Sequence, residues 1–407
     1  MGELRTRKRG KTWEWSFEGA KIGGKRKPIS KGGYRTKAEA LAAGTQAKAE
    51  YDNTGQSFKP SEVSVSDYLD YWYENYVMTN LSYNTQKSYE KIIRLYIRPY
   101  LGAYRLAAIE PETIQKWIDI VKRNKSQNTV SSILRCFSGA LDYAVYPCKY
   151  IKGNPSRYIK RPKVALSKEK KDHAEYICRD NDYNAIINRF PPGSNYYIAL
   201  ETAYYCGTRL GETYGFDLLQ DVDFSNHTIS INHQLNKENG VWVYRPPKYS
   251  SYRTIKMIPA HEEILKREIE KRKENMQRYG EYYLKSYIKP DGSIIQENAD
   301  IKVGYPEIMP ICVRENGELL TPVTFTHCAR IIHHELGNPL FHSHCLRHTH
   351  GTLLAEGGAQ PKTVMERLGH KDIKVTMEKY VFNTDIMQDD AVTVFVNATK
   401  HRLPTTQ

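Results

Sequence analysis

The sequence predicts a multidomain α+β protein with a small three-stranded sheet and one helix, then a helical bundle, then a mostly helical domain with a small antiparallel sheet. The chain has 407 residues, enough for about two or three domains. Its pattern changes from alternating apolar residues near the amino terminus to helical periodicity after residue 65, and polar or basic stretches interrupt it at 55–64 and 156–171. We therefore predict domains at 1–55, 63–155 and 172–407.

The charge of the chain favours a polyanionic partner. The net charge is +14, and residues 1–37 alone contain 12 Lys and Arg against 3 Glu. Such a basic end is typical of nucleic-acid binding more than of membrane binding. Seven scattered cysteines without a C-x-x-C pair favour a reducing compartment. No apolar run approaches the roughly 20 residues of a membrane span, and no signal peptide is visible, so we expect a soluble intracellular protein.

Alternation near the amino terminus predicts the small sheet. Every second residue from Trp13 to Phe17 is aromatic, which is typical of a half-buried strand. Two further short strands are expected at 25–30 and around Tyr34, each bounded by a pair of glycines. Basic side chains precede and accompany these strands, and we select as candidate DNA contacts Arg5, Arg7, Lys8, Arg9, Lys25, Arg26 and Lys27. A disordered basic tail is the alternative, which the aromatic positions disfavour.

Helical signals cover residues 36–150. A capping box of Thr36 and Glu39 opens an alanine-rich helix that runs to about Tyr51. Bundle helices are predicted at 66–78, 83–98, 111–122 and 127–146, with starts at Ser66, Ser82, Pro111 and Ser126. Basic residues recur on one face of the second of these helices, namely Lys87, Lys91, Arg94 and Arg98. Such a face can follow phosphates, although a solvated surface is the usual meaning of a charge stripe.

A first arginine box lies in the third domain. The apolar helix at 196–206 breaks at Gly207, and Arg209 follows with Glu212 three residues later, close enough to hold the guanidinium. An ordinary surface ion pair, contributing about 0–1 kcal/mol, is the alternative interpretation.

Strands and turns follow that box. Three strands are predicted at 228–233, 241–245 and 252–259, and helices at 261–279 and 324–336. Lys248 lies in the turn between the last two strands, and Lys237 lies in what we predict to be the preceding turn. A lone lysine in a turn is normally just solvated. The stretch 281–322 has turn signals but no usable periodicity, and 389–397 fits either a strand or a short helix.

The stretch from His342 to Tyr380 holds four groups suited to phosphate chemistry. A helix predicted from Ser343 to Ala355 would place His344 and Arg347 side by side on one face. After a Gly-Gly break, a second helix should open at Pro361 and close before Gly369, which puts His370 just past its end. Tyr380 follows ten residues later and is the one tyrosine beyond Tyr305 among 31 in the chain.

The order of Arg209, Lys248, His344-x-x-Arg347, Leu-Gly-His370 and Tyr380 resembles the catalytic signature of the tyrosine recombinases, and the whole chain resembles the integrases of conjugative transposons. The resemblance implies that Tyr380 is the nucleophile and that a 3′-phosphotyrosyl intermediate forms. Lys248 would be the general acid, with Lys237 as its weaker competitor. Arginines suit such a site because their planar fork matches phosphate oxygens and stays charged.

The resemblance also implies partners. The sheet domain would bind arm sites on double-stranded DNA, the helical domain would bind the core site, and four copies would exchange strands as a homotetramer. An excisionase or a host DNA-bending protein is a further expected partner, and the segment after Tyr380 is a candidate contact with a neighbouring copy. The expected location is the cytoplasm of a bacterium, with the nucleoid. No cofactor is implied, since the chemistry conserves bond energy.

Three alternatives compete with this interpretation. Seven histidines crowd residues 327–350, so zinc must be considered, but there is no HExxH and no paired CxxC, and we predict no metal site. A monomeric type IB topoisomerase would use the same chemistry without needing the basic sheet domain. A non-enzymatic DNA-binding regulator could keep the fold, although the complete residue set argues against it.

Overall fold

A computed structural model of the chain describes residues 3–22, 25–54, 63–161, 176–372 and 384–399. The chain divides into two compact units, Met1–Leu166 and Ser167–Gln407. In both units the described helices hold more residues than the described strands, and every described strand pairing is antiparallel. The predicted α+β class is confirmed. Within these ranges, no helix is both long enough and apolar enough to cross a membrane.

The amino-terminal sheet contains β1 (Arg5–Arg9), β2 (Thr12–Ile22) and β3 (Lys25–Tyr34), and helix α1 (Lys37–Thr54) follows it. Trp15 and Phe17 are buried in a cluster with side chains of α1, as the alternating aromatic pattern predicts. The hydroxyl of Thr36 accepts the backbone N–H of Glu39 at 3.2 Å, which confirms the predicted helix start. The sheet is therefore held by an aromatic layer against one helix.

Two details of this sheet differ from the prediction. The basic arm is itself a strand, because β1 pairs in continuous register with β2 from Arg5 opposite Ser16 to Arg9 opposite Thr12. The two short strands expected at 25–30 and around Tyr34 form the single strand β3. Its two glycines at 32–33 do not end the strand, because a register shift opposite Trp13–Trp15 of β2 accommodates one extra residue of β3 there.

Four helical segments form the bundle, and all four predicted helices are confirmed. Their bounds are α2 (Val65–Trp72, continued by a π turn at Tyr73–Val77 and by Met78–Asn80), α3 (Tyr83–Ile92, continued by Ile93–Ile97 and Arg98–Leu101), α4 (Pro111–Val121) and α5 (Gln127–Val145). Trp72, Trp117 and Phe137 lie in their shared core. The first start differs, because Ser64 and not Ser66 caps α2, its hydroxyl accepting the N–H of Asp67 at 3.0 Å.

Eight described α-helices belong to the carboxy-terminal unit. They are α6 (Asp180–Arg189), α7 (Tyr197–Cys206), α8 (Leu210–Thr213), α9 (Pro259–Tyr279), α10 (Pro322–Glu335), α11 (Cys345–Glu356), α12 (Pro361–Leu368) and α13 (Asp385–Thr399). Leu200, Phe325 and Leu346 are among the buried residues that join α7, α10 and α11 in one core. The segment 389–397, which fits either a strand or a helix by sequence, is helical.

Five short strands follow α8: β4 (Val222–Asp223), β5 (Thr228–Ile231), β6 (Gln234–Glu238), β7 (Val241–Arg245) and β8 (Arg253–Lys256). β5 lies between β4 and β8, while β6 and β7 form a separate hairpin. Lys237 was predicted to lie in a turn, and this is wrong because it lies on β6. The turn is formed by Asn239 and Gly240, both with positive φ, and β6 has only Leu235 as a buried apolar residue, so its alternation is weak.

The stretch 281–322 contains a further three-stranded sheet that the sequence did not predict. β9 (Leu284–Ile288) lies between β10 (Ile294–Asn298) and β11 (Glu307–Ile308). β9 and β10 do not alternate between buried and exposed residues, and β11 has only two residues, which explains why no strand period is visible in the sequence.

Candidate active site

Arg209 lies where α7 ends and α8 begins. Gly207 closes α7 in the left-handed conformation, with φ of 61°, and Arg209 takes the position before the first residue of α8. Its Nη1 donates to Glu212 Oε1 at 2.5 Å and to Ser251 Oγ at 3.2 Å. The predicted pairing with Glu212 is confirmed, but the surface interpretation is wrong, because the Glu212 side chain is fully buried while that of Arg209 is 17% exposed.

Arg347 is a buried arginine in the first turn of α11, only 2% exposed. Its Nη1 donates to the carbonyl of Gly207 at 2.7 Å, and its Nη2 donates to the carbonyl of Leu368 at 2.6 Å. These contacts join the end of α7 to the end of α12. A guanidinium so placed is already oriented before any substrate binds.

His344 is placed differently from the prediction. The helix begins at Cys345, two residues later than Ser343, because the N–H of Cys345 closes a tight turn on the carbonyl of His342 at 3.0 Å. His344 is therefore the residue before the helix and is exposed, whereas Arg347 is buried. The two residues therefore do not lie in equivalent positions on one helical face. Arg347 is within the helix and buried, whereas His344 precedes the helix and lies at the surface.

At the end of α12, three successive backbone carbonyls accept hydrogen bonds from three arginines. The helix opens at Pro361 and closes before Gly369, whose φ is 68°, as predicted. The pairs are Arg253 Nε to Arg367 O at 2.8 Å, Arg347 Nη2 to Leu368 O at 2.6 Å, and Arg209 Nη2 to Gly369 O at 3.1 Å. Carbonyls at a helix end lack intrahelical partners and carry partial negative charge, so they favour cations. This helix end thus gathers arginines from three distant segments.

The charge of Glu212 is stabilised by the same arginines. Burial by itself would raise the pKa of Glu212, but Arg253, Arg209 and Arg347 together lower this pKa to about 2. The carboxylate is therefore ionised at any working pH and offers both oxygens to guanidinium groups. The cluster keeps net positive charge, which suits a bound phosphate.

The other predicted catalytic residues occupy different positions. His370 is half-buried, one residue after Gly369, and its backbone N–H donates to Met365 O at 3.0 Å. Lys248 is exposed in the turn between β7 and β8, as expected, with its Nζ 5.1 Å from the ring centroid of Tyr249. Tyr380 lies in 373–383, outside the described residues. The structure thus brings Arg209 and Arg347 together, with His370 next to the carbonyls that hold them.

Sequence reasoning missed a second group, formed by Arg253, His350 and Arg367. The Nδ1–H of His350 donates to Tyr204 O at 2.8 Å, and its Nε2 accepts from Arg367 Nε at 2.9 Å. Burial and the neighbouring Arg367 lower the pKa of His350 to about 4, so the ring is neutral as this pattern requires. The available signal was the Arg253-Thr-Ile string after the lysine turn and a second histidine three residues after Arg347.

Histidines of the crowded tract do not form a metal-ligand set in the ranges described. The rings of His344 and His348 are 6.4 Å apart between centroids. Among the described residues, no three His, Cys, Asp or Glu side chains come together as metal ligands.

The candidate DNA-contact residues are mostly at the surface. Arg5, Arg7, Lys8 and Arg9 are exposed on β1, and Arg9 pairs with Glu14 at 2.7 Å. The backbone of residues 25–27 forms the start of β3. Lys87, Lys91 and Arg94 are exposed on α3. In the same stripe, Lys87 pairs with Glu90 at 2.9 Å and Arg98 pairs with Asp70.

Gly207→Ala should destabilise the carboxy-terminal unit through a clash. A Cβ at Gly207 would lie 2.6 Å from His350 Cδ2 and 2.9 Å from Leu368 Cδ2, and the left-handed backbone adds about 1–2 kcal/mol. Overpacking adds about 1–3 kcal/mol. Gly337→Ala is the matched control, because Gly337 has φ of 62° and nothing within 4 Å of its Cβ position. Thermal unfolding of both variants should show the larger loss at Gly207, and equal losses would contradict this packing.

Comparison with known proteins identifies the family. Residues 179–385 match the phage integrase family, and residues 64–121 match the N-terminal SAM-like domain of phage integrases. The first match alone spans more than half of the chain, so the chain belongs to the phage integrase family. It is a tyrosine recombinase, an enzyme that breaks and rejoins DNA in site-specific recombination. The resemblance seen in the sequence is thereby confirmed.

Comparisons with individual proteins agree with this family assignment. The chain is 25% identical to a XerC-like tyrosine recombinase of Caldanaerobacter subterraneus over 85% of this chain and 86% of the relative. It is 22% identical to the transposase of transposon Tn916 from Enterococcus faecalis over 74% and 70%. The fold is similar to that of the Tn1549 transposon integrase in complex with circular intermediate DNA, with a TM-score of 0.56, 22% identity and coverage of 84% and 100%. It is also similar to a lambda integrase dimer bound to a core site, with a TM-score of 0.51, 16% identity and coverage of 94% and 95%.

Proposed function

We propose that this recombinase is the integrase of a mobile element such as a conjugative transposon, which it excises and integrates through a 3′-phosphotyrosyl intermediate on Tyr380. The observation that carries the proposal is the convergence of Arg209 and Arg347 on the adjacent carbonyls of Gly369 and Leu368. Relatives named for the transposons Tn916 and Tn1549 support the mobile-element part.

In the proposed reaction, the tyrosine oxygen of Tyr380 attacks the scissile phosphorus. A bond forms between this oxygen and phosphorus, and the bond to the 5′ oxygen breaks. Negative charge builds on the nonbridging oxygens of the five-coordinate phosphorus. Arg209 and Arg347 donate to these oxygens, and the buried setting strengthens that interaction. His370, next to the same carbonyls, supplies a further donor.

Two protons must move in this step. Lys248 gives its proton to the leaving 5′ oxygen, and its exposed position on a turn lets the side chain reach outward. His344, also exposed, accepts the proton of the attacking tyrosine or serves as another donor. The phosphotyrosyl ester conserves the bond energy, so a 5′ hydroxyl from another strand can reverse the step without ATP.

The remaining parts of the chain suit assembly on DNA. We propose that 1–55 binds arm sites, 63–155 binds the core site and 172–407 performs the chemistry as one of four copies, in the cytoplasm. An excisionase or a host DNA-bending protein would set the direction. Helix α13 exposes apolar side chains, with Val392 63%, Val394 67% and Phe395 69% exposed, which favours docking on a neighbouring copy.

Covalent trapping tests the proposal. A suicide DNA substrate, nicked near the crossover and taken from the junction of the host element, should give a protein–DNA adduct on a denaturing gel with the intact protein and none with Tyr380→Phe. Removing the hydroxyl removes the nucleophile while leaving the ring.

Tyr305→Phe is the matched control, since Tyr305 is 40% exposed and lies elsewhere in the same unit. It should form the adduct normally. An adduct that persists in Tyr380→Phe would assign the nucleophile to another tyrosine. Binding of cognate DNA without any adduct would favour a regulator instead.

A further inference from the structure

Arg253, the first residue of β8, donates hydrogen bonds to protein acceptors from all three nitrogens of its guanidinium group. Its Nε donates to the carbonyl of Arg367 at 2.8 Å, and its Nη1 donates to the carbonyl of Ser251 at 3.3 Å. Its Nη2 donates to Glu212 Oε2 at 2.8 Å. The side chain is only 7% exposed. Three of its five N–H groups are thus used by acceptors of the protein itself, which fixes the position of the guanidinium.

The carboxylate of Glu212 is shared between two arginines. Oε1 accepts from the guanidinium of Arg209, while Oε2 accepts from Arg253 and from the backbone N–H of Arg209 at 3.0 Å. If Arg253 were removed, Oε2 would lose its only guanidinium among these contacts and the carboxylate could rotate about its side chain. The guanidinium of Arg209 would then lose a fixed acceptor.

Ser251 connects the same arginines to the turn that carries Lys248. Its hydroxyl accepts from Arg209 and its carbonyl accepts from Arg253. Between Lys248 and Ser251, both Tyr249 and Ser250 have left-handed backbone, with φ of 63° and 51°. Non-glycine residues adopt this conformation only where the surrounding contacts impose it. The attachment of Ser251 to two arginines is such a contact.

We propose that Arg253 is a positioning residue for DNA strand cleavage, which fixes Arg209 through Glu212 and ties the end of α12 to the turn of Lys248. This inference rests on the function proposed above. Arg253 does not touch the phosphate. It holds three parts of the site in register: the Arg209–Glu212 pair, the carbonyls that precede His370, and the start of the strand after the lysine turn.

The electrostatics of the cluster agree with this role. Arg253 is the foremost of the charged groups that offset burial and keep the pKa of Glu212 low. Lysine in place of Arg253 can form only some of these hydrogen bonds. A lysine carries one ammonium and lacks the planar fork, so it can meet Glu212 or the carbonyl of Arg367 but cannot bridge both.

Cleavage rates on two suicide substrates test the inference. On an ordinary phosphodiester, Arg253→Ala should cleave about 10- to 100-fold more slowly than the intact protein, with DNA binding unchanged within about twofold. Arg253→Lys should recover part of the rate. On a substrate with a methylphosphonate at the scissile position, less negative charge develops for Arg209 to stabilise. The ratio of the cleavage rate of the intact protein to that of Arg253→Ala should therefore be smaller on the methylphosphonate than on the phosphodiester. The same ratio for Arg209→Ala should also be smaller.

Arg245→Lys provides the matched control on β7, the strand that precedes the Lys248 turn. Arg245 also combines an ion pair, with Glu238 at 2.5 Å, and a backbone acceptor, the carbonyl of Asp291 at 2.6 Å, but it has no contact with Glu212. The Arg245→Lys variant should cleave each substrate at the rate of the intact protein. An Arg253→Ala variant that cleaves normally, or whose defect is equal on both substrates, overturns the positioning role alone. Failure of the intact protein to cleave either substrate overturns the proposed function and this inference with it.

Discussion

Arg347→Lys is expected to slow DNA cleavage by about 10²- to 10³-fold while DNA binding changes little, because one preorganised donor to the developing charge is lost. Arg347 spans two carbonyls, those of Gly207 and Leu368, with two different nitrogens. A lysine cannot bridge both acceptors and also present a fork to phosphate. The rate of adduct formation on the suicide substrate, measured beside a gel-shift assay, gives the comparison.

Arg314→Lys is the control for this substitution. Arg314 pairs with Glu318 on the surface of the same unit, with its side chain 53% exposed, and should tolerate lysine. Adduct formation by Arg347→Lys at the rate of the intact protein would remove Arg347 from the phosphate site. A parallel loss of DNA binding would point instead to a general defect of the fold.

Glu212→Gln should be the most destabilising single-atom change in the site. The carboxylate is fully buried against Arg209 and Arg253, and removing one member of a buried ion pair typically costs about 3–5 kcal/mol. The amide can offer one oxygen, while its NH₂ group would face a guanidinium. We expect the free energy of unfolding and the rate of cleavage to fall together, since the same contact orients Arg209.

The pH dependence of stability should report the same contact. The folded-state pKa of Glu212 is lowered to about 2, below the unfolded value near 4.5. Because this pKa is lowered, the contribution of Glu212 to folding stability is complete above the pKa of the unfolded state. It is lost as the pH falls through the pKa of the folded state. The intact protein should therefore lose on the order of 3 kcal/mol between about pH 4.5 and pH 2, and Glu212→Gln should lack this part of the acid transition.

Glu335→Gln separates this effect from that of an ordinary ion pair. Glu335 pairs with Arg189 at 2.7 Å, but its side chain is 50% exposed, so solvent screens the interaction. Denaturant unfolding at pH 7 should show a much smaller loss than for Glu212→Gln. Equal losses in the two variants would mean that the buried cluster contributes no more than a surface pair.

Local chemistry explains why much of the site could be predicted. The contact between Arg209 and Glu212 spans three residues, and the helix ends at Gly207 and Gly369 follow from glycine's access to left-handed backbone. Lys248 lies in its predicted turn, where the two prolines at 246–247 follow the end of β7 and cannot donate to a strand ladder. Errors arose where a local signal was weak or overlooked, as for Lys237, whose strand is polar and whose following Asn-Gly pair indicates a hairpin.

The sequence by itself determined the class of the protein and most of its longer helices, and it predicted a catalytic set, because these depend on periodicity, caps and short motifs. Tertiary structure alone decided that three arginines meet on three successive carbonyls. Arg253 and Arg347 reach the end of α12 across 114 and 21 residues, and Arg209 reaches it across 160. The packing of the buried helices and of β8 decides which segments meet over such separations, and this is why the contacts of Arg253 were not visible in the sequence.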